Sequence, residues 1–159
     1  MANPALTPSA LPHGLPDFAS VADSDFLPAF TEAMASHLAE VEFIAKDPAA
    51  PTFANTVEAL ERSGRDLARV AGIFFTLVGA DSTPERNRIA TELAPMLSDH
   101  GNTIALDPRL FAKISQLHDR RDELGLDEPS LRLLDKRFRE AVRAGAGLDE
   151  DGQCQMREI

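Results

Sequence analysis

The amino-acid sequence predicts an all-α fold, a bundle of about five to six mainly antiparallel helices with an extended N-terminal arm. Three observations carry that expectation. The chain has no Trp, no Tyr and no β-branched runs. Its apolar residues recur at steps of three and four nearly everywhere, which is the spacing of a helix face. Helix-start signals, a capping residue followed by proline, recur at Thr83-Pro84 and Asp107-Pro108.

Residues 1–22 are the exception to the helical spacing. Pro4, Pro8, Pro12 and Pro16 break any helix, so this stretch is an extended, Pro-rich arm. Its apolar residues Leu6, Leu11, Leu15, Phe18 and Val21 predict that it lies on a surface. The helical domain follows over 23–147. A first helix begins near Asp23 or Ser24, either of which can cap it, and tolerates Pro28 in its first turn. Its stripe is Phe26, Phe30, Met34, Leu38, Val41 and Ile44, and Asp47-Pro48 ends it near Lys46.

A second helix starts near Thr52 with the stripe Phe53, Val57, Leu60, Gly64, Leu67, Ala71, Phe74 and Val78. Its steps alternate four and three without a slip, the seam of one long helix packed antiparallel on a neighbour. Glycine inside a helix costs about 1 kcal/mol relative to alanine. Gly64 therefore marks either a close approach of another helix or a break at Ser63-Gly64. A third helix opens at Thr83-Pro84-Glu85 and carries Ile89, Leu93, Leu97, His100 and Ile104, with a kink expected at Pro95. A fourth opens at Asp107-Pro108, shows Leu110, Ile114, Leu117 and Leu124, and stops at Gly125. Asp127 opens a fifth, with Leu131, Leu134, Phe138 and Val142, ending near Gly145. Residues 148–159 resemble the start of a sixth helix that is truncated, having no C-terminal cap and no apolar stripe of their own.

The chain of 159 residues fits one ordinary domain and can bury roughly 70% of its unfolded surface. A content of 43% hydrophobic and 26% charged residues is that of a globular protein. No apolar run approaches the ~18 residues that a membrane span requires. The N-terminus lacks the basic residues and apolar stretch of a secretory signal. Cys154 is the single cysteine, so no disulfide framework exists, and a cytoplasmic location is expected. The net charge of −10 argues against nucleic-acid binding, which needs a basic face. Residues 1–60 hold eight acids and one base, Lys46, a net of −7, and residues 61–159 hold eighteen acids and fifteen bases, a net of −3. This asymmetry is either a solvated surface or an acidic wall that biases the approach of charged peptides.

No catalytic, cofactor-binding or metal residue emerges. A zinc-peptidase helix needs His-Glu-x-x-His, and none of His13, His37, His100 or His118 is followed by Glu. A carboxylate-bridged metal bundle needs Glu three residues before His, and those positions hold Ala10, Met34, Leu97 and Ser115. His37 and Glu40 could supply half a site or a solvent-side hydrogen bond, and two ligands do not hold a metal. There is no Gly-rich phosphate loop and no Gly-x-Ser-x-Gly elbow. Cys154, between Gln153 and Gln155, has no neighbouring base to make it a nucleophile. Arg120, Arg121, Lys136, Arg137 and Arg139 form either an anion patch or, with Asp122 and Glu123 among them, a salt-bridged face.

An ordered set of short motifs carries a resemblance. It includes Asn3-Pro4, Pro16-Asp17-Phe18, Phe26-Leu27-Pro28-Ala29-Phe30 and Pro51-Thr52-Phe53-Ala54-Asn55-Thr56. Ala59-Leu60-Glu61-Arg62-Ser63-Gly64, Phe74-Phe75, Ala80-Asp81, Leu124-Gly125-Leu126-Asp127, Arg132-Leu133 and Ala144-Gly145-Ala146 continue it. With this spacing the chain resembles the N-terminal region of the thimet oligopeptidase family of zinc metallopeptidases. It is most similar to the bacterial peptidyl-dipeptidase (dipeptidyl carboxypeptidase) branch, with oligopeptidase A second. It departs from the family at Ala54, usually Glu, and at Thr76, often Asn.

The resemblance implies that this chain forms one wall of a deep channel that admits short unfolded peptides and excludes folded proteins. It further implies a zinc-bearing catalytic domain outside the chain, where zinc polarises the scissile carbonyl and activates water with a motif Glu as base. Members are several times longer, so no catalytic or zinc-binding residue transfers to any position here, and the chain alone is not catalytic. Its implied partners are that missing C-terminal catalytic domain and, in the whole enzyme, short peptides. Self-association of the isolated chain is also expected. The alternative is a stand-alone helical module that binds a protein or peptide.

Overall fold

A computed structural model describes residues 3–148 and Gly152. Among these residues the regular structure is helical, with no strand. The α-helices are α1 (Asp23–Lys46), α2 (Ala59–Arg62), α3 (Arg65–Ala80), α4 (Pro84–Ala105), α5 (Pro108–Asp119) and α6 (Glu128–Ala144). The described residues form two compact units. Residues 1–39 and 64–99 bound the first, and 40–63 and 100–159 the second, so α1 and α4 each contribute to both.

In the first unit, Phe26, Ala29, Phe30, Ala33 and Met34 on α1 pack with Val70, Ile73 and Phe74 on α3 and with Ile89 and Leu93 on α4. Phe74 is fully buried. Its ring lies 4.9 Å from that of Phe26 and 5.6 Å, edge-on, from that of Phe30. Burying one such side chain stabilises the fold by about 1.5–3 kcal/mol. Arg86 near the start of α4 holds this unit's polar corner. Its Nε donates to Asp23 Oδ1 at 2.8 Å and its Nη1 to Asp81 Oδ2 at 2.8 Å. Those two hydrogen bonds, Asp23's first, raise its pKa further above the usual guanidinium value.

The N-terminal arm belongs to this unit. Asn3 donates from Nδ2 to the Asp25 carbonyl at 2.9 Å, Arg69 donates to the Leu6 carbonyl at 2.9 Å, and Ala5 is fully buried. Leu6 and Val21 pack on the core. Two 3-10 turns, Pro12–Gly14 and Phe18–Ser20, fold the arm between these anchors. Leu11, Leu15 and Phe18 remain exposed there.

In the second unit, Val41, Ile44 and Ala45 from the end of α1 cluster with Leu110 of α5. Val57, Ile114, Leu117 and Leu134 form a second cluster, joined by Phe53, Leu60, Leu124 and Phe138. Thr52 and Asn55 cap the entry to α2 reciprocally: Asn55 N–H donates to Thr52 Oγ1 at 3.1 Å, and Thr52 N–H to Asn55 Oδ1 at 2.7 Å. The chain then makes a π-helical turn over Phe53–Glu58 before α2. Glu42 sits between Lys46, at 2.6 Å, and Arg109, whose Nη1 donates to it at 3.0 Å. The Arg109 hydrogen bond, then that of Lys46, holds the Glu42 carboxyl down at about 2.

Most expected helix starts are found. Thr83 Oγ1 accepts from Arg86 N–H at 3.1 Å, Asp107 caps α5 through Arg109 and Leu110 N–H, and Asp127 caps α6 through Ser130 N–H. Gly145, in the left-handed conformation, closes α6.

Three expectations are corrected. The single long second helix does not form. Ser63 is extended, and Gly64 at φ +67° breaks the chain between α2 and α3. The unslipped stripe is divided by that break, with Val57 and Leu60 packing in the second unit and Leu67, Ala71, Phe74 and Val78 in the first. The helix expected to reach Gly125 ends at Asp119, and a 3-10 turn, Arg121–Glu123, delivers Leu124 to the core. On α6 the buried residue of the last turns is Ala141, while Val142 is 48% exposed. The stripe drifts there because apolar Ala141 and Val142 are adjacent and only one can face inward. The helix start expected over 148–159 lies, apart from Leu148 and Gly152, outside the described residues, and so does Cys154.

Candidate functional site

The titratable groups singled out by the sequence fall on separate elements. His13 lies on the exposed arm turn, with φ +60°. His37 is half-buried on α1 and faces Gly64, where an added Cβ would stand 2.9 Å from its ring atoms. His100 is buried on α4. His118 on α5 stacks on Phe138 of α6, ring centroids 3.9 Å apart and 9° from parallel, with Nε2 3.2 Å from Asp135. Among the described residues, no three His, Cys, Asp or Glu side chains gather to hold a metal ion.

The basic cluster around α6 is bound up internally. Arg137 pairs with Glu61 and, at 3.1 Å, with Glu140, and Arg139 stands 3.8 Å from Asp135. Lys136 stands 3.8 Å from Glu140. Arg121 Nη1 donates to the His118 carbonyl at 3.1 Å. Of the two readings open from the sequence, this geometry is the salt-bridged face.

Two kinds of surface stand out among the described residues. One is a cavity of about 410 Å³ in the first unit, between the arm and α3. Pro8, Pro16, Val21 and Ile73 give it apolar walls, and Arg69 and Asp17 bring opposite charges to it. Sequence reading did not single out Arg69. The signal available was an arm of regularly spaced prolines whose apolar residues needed a surface to cover. The other kind is apolar side chains held in solvent. Phe43 on α1 is 80% exposed, and Phe75 on α3 is 46% exposed beside buried Phe74. Gly72, Thr76 and Gly79 share the solvent side of α3 with Phe75, and an added Cβ at Gly72 or Gly79 would meet nothing within 4 Å. No helix among the described residues is long and apolar enough to cross a membrane.

Comparison with known proteins assigns this helical chain its relatives. It is 38% identical, over 157 residues and 99% of its length, to a dipeptidyl carboxypeptidase of Salmonella typhimurium. The chain is similar to the dipeptidyl carboxypeptidases. That of Escherichia coli is 37% identical over the same share of the chain. Oligopeptidase A of Salmonella typhimurium is more distant, 24% identical over 159 residues. The chain spans 23% of the length of each of these relatives. No family model matches the chain.

Proposed function

We propose that this chain is an N-terminal channel-wall and scaffold segment of a cytoplasmic, zinc-dependent peptidyl-dipeptidase or oligopeptidase acting on short peptides. The observation that carries this reading is the similarity to dipeptidyl carboxypeptidases along 99% of the chain and only 23% of theirs. No metal-ligand group is found among the described residues, and the role we assign to them is shape. Residues 23–147 form the helical wall, braced by the Phe26–Phe30–Phe74 cluster and the Glu42–Arg109 pair. Bond cleavage and zinc belong to the part of the enzyme outside this chain, and no chemical step runs through the described residues. Solvent-exposed Phe43 and Phe75 fit faces that another part of the enzyme covers. The acidic bias of residues 1–60 would favour peptides of positive charge at this wall.

Incubating the purified chain with zinc and a quenched-fluorescent peptide tests this division of labour. No turnover above buffer is expected. Chelator-sensitive cleavage by the chain alone would overturn the reading.

A further inference from the structure

We propose that the cavity between the N-terminal arm and α3 binds a small zwitterion with an apolar side chain, a free dipeptide in size, its carboxylate on Arg69 and its ammonium on Asp17. The cavity's volume of about 410 Å³ lies in the roughly 300–1,000 Å³ range of small-molecule sites. Prolines 8 and 16, with fixed φ, make part of its wall rigid.

Its polar groups select the ligand. Arg69 is held in place through one nitrogen only: Nη1 donates to the Leu6 carbonyl at 2.9 Å and to Asp66 at 2.7 Å. Its Nε and Nη2 donors meet no acceptor among the described residues, so a guanidinium already oriented still has hydrogen bonds to give. A carboxylate is the group that its planar fork fits best. Asp17 engages Ser20 only through its backbone carbonyl, leaving its carboxylate without a partner among the described residues. The two charges line one cavity without pairing with each other. A simple anion placed there would meet Asp17, and a simple cation would meet Arg69. A molecule carrying both charges satisfies both ends, and its side chain fills the apolar middle.

This inference rests on the cavity and not on the channel-wall reading, and either can fail alone. The test follows backbone amide NMR shifts of the whole chain on titration with Ala-Leu, N-acetyl-Ala-Leu and Ala-Leu amide. Saturable shifts centred on residues 4–21, 69 and 73 are expected with Ala-Leu. Blocking either terminus removes a charge-assisted hydrogen bond, so each blocked form should bind about tenfold or more weakly. In Asp17→Asn, whose side chain braces nothing described, the preference for the free amine should vanish while the preference for the free carboxylate stays. Absence of saturable shifts, equal binding of the three compounds, or an amine preference unchanged in Asp17→Asn would each overturn the proposal.

Discussion

Replacing Gly64 with alanine strikes the left-handed residue at the break in the apparent long helix. Gly64 adopts φ +67°, where an L-residue with a Cβ is strained by roughly 1–2 kcal/mol. The new Cβ would also stand 2.9 Å from the Cε1 and Nδ1 atoms of His37. That ring is the end of a side chain and can turn aside, so the contact adds about 1 kcal/mol at most on the scale of a mild overpacking. The total is a destabilisation of about 2–3 kcal/mol. Gly72→Ala is the control of opposite sign. Gly72 is exposed within α3 with open space around it, and alanine there should stabilise by up to about 1 kcal/mol. Denaturant unfolding followed by circular dichroism gives both values. A double-mutant cycle with His37→Ala separates the contact from the backbone strain, which should persist at about 1–2 kcal/mol in the double variant. If Gly64→Ala matches or exceeds the wild-type midpoint, residues 52–80 form the continuous helix after all.

Other expectations follow from burial and charge. Phe74→Ala should destabilise by about 3–5 kcal/mol, and Leu11→Ala, at an arm position 45% exposed, far less; equal unfolding midpoints would deny the aromatic cluster its role. Glu42, lowered by Arg109 and then Lys46 from 4.5 to about 2, contributes stability that is full above its ordinary value and lost as pH falls toward the lowered one. Glu42→Gln should therefore lose less stability than wild type between pH 4.5 and 2, and identical acid unfolding profiles would refute the pairing. The isolated chain should self-associate at high salt, where its charge of −10 is screened, and Phe43→Ser and Phe75→Ser should each reduce this in light scattering. A strict monomer at every salt concentration would favour the stand-alone binding module.

The helix starts were legible because their signals are local: Thr83, Asp107 and Asp127 each satisfy N–H groups two or three residues on. The cores were legible from period, with Phe26, Phe30 and Phe74 buried as their spacing requires. The break at Ser63-Gly64 stood only as one of two readings of Gly64, because the period runs through it unchanged. Extended Ser63 ends one helix and left-handed Gly64 starts the next without disturbing the count, so the stripe stayed in phase while its two halves packed in different clusters. The 3-10 turn over Arg121–Glu123 stayed hidden for a related reason, since Leu124 still reaches the core after the helix has stopped. The arm cavity was not legible. It arises where the arm and α3 bring Asp17 and Arg69, far apart in sequence, to one cavity, and no local pattern encodes that.

The channel-wall account is tested most directly by exchange. In the Escherichia coli dipeptidyl carboxypeptidase, to which the chain is 37% identical, the matching 23% of the length is replaced with this chain. Release of dipeptides from short peptides and cleavage of a folded protein are then measured. The account expects the exchanged enzyme to release dipeptides and to spare the folded protein, while the isolated chain does neither. An exchanged enzyme that is folded by circular dichroism yet inert toward short peptides, beside an active parent, would contradict it.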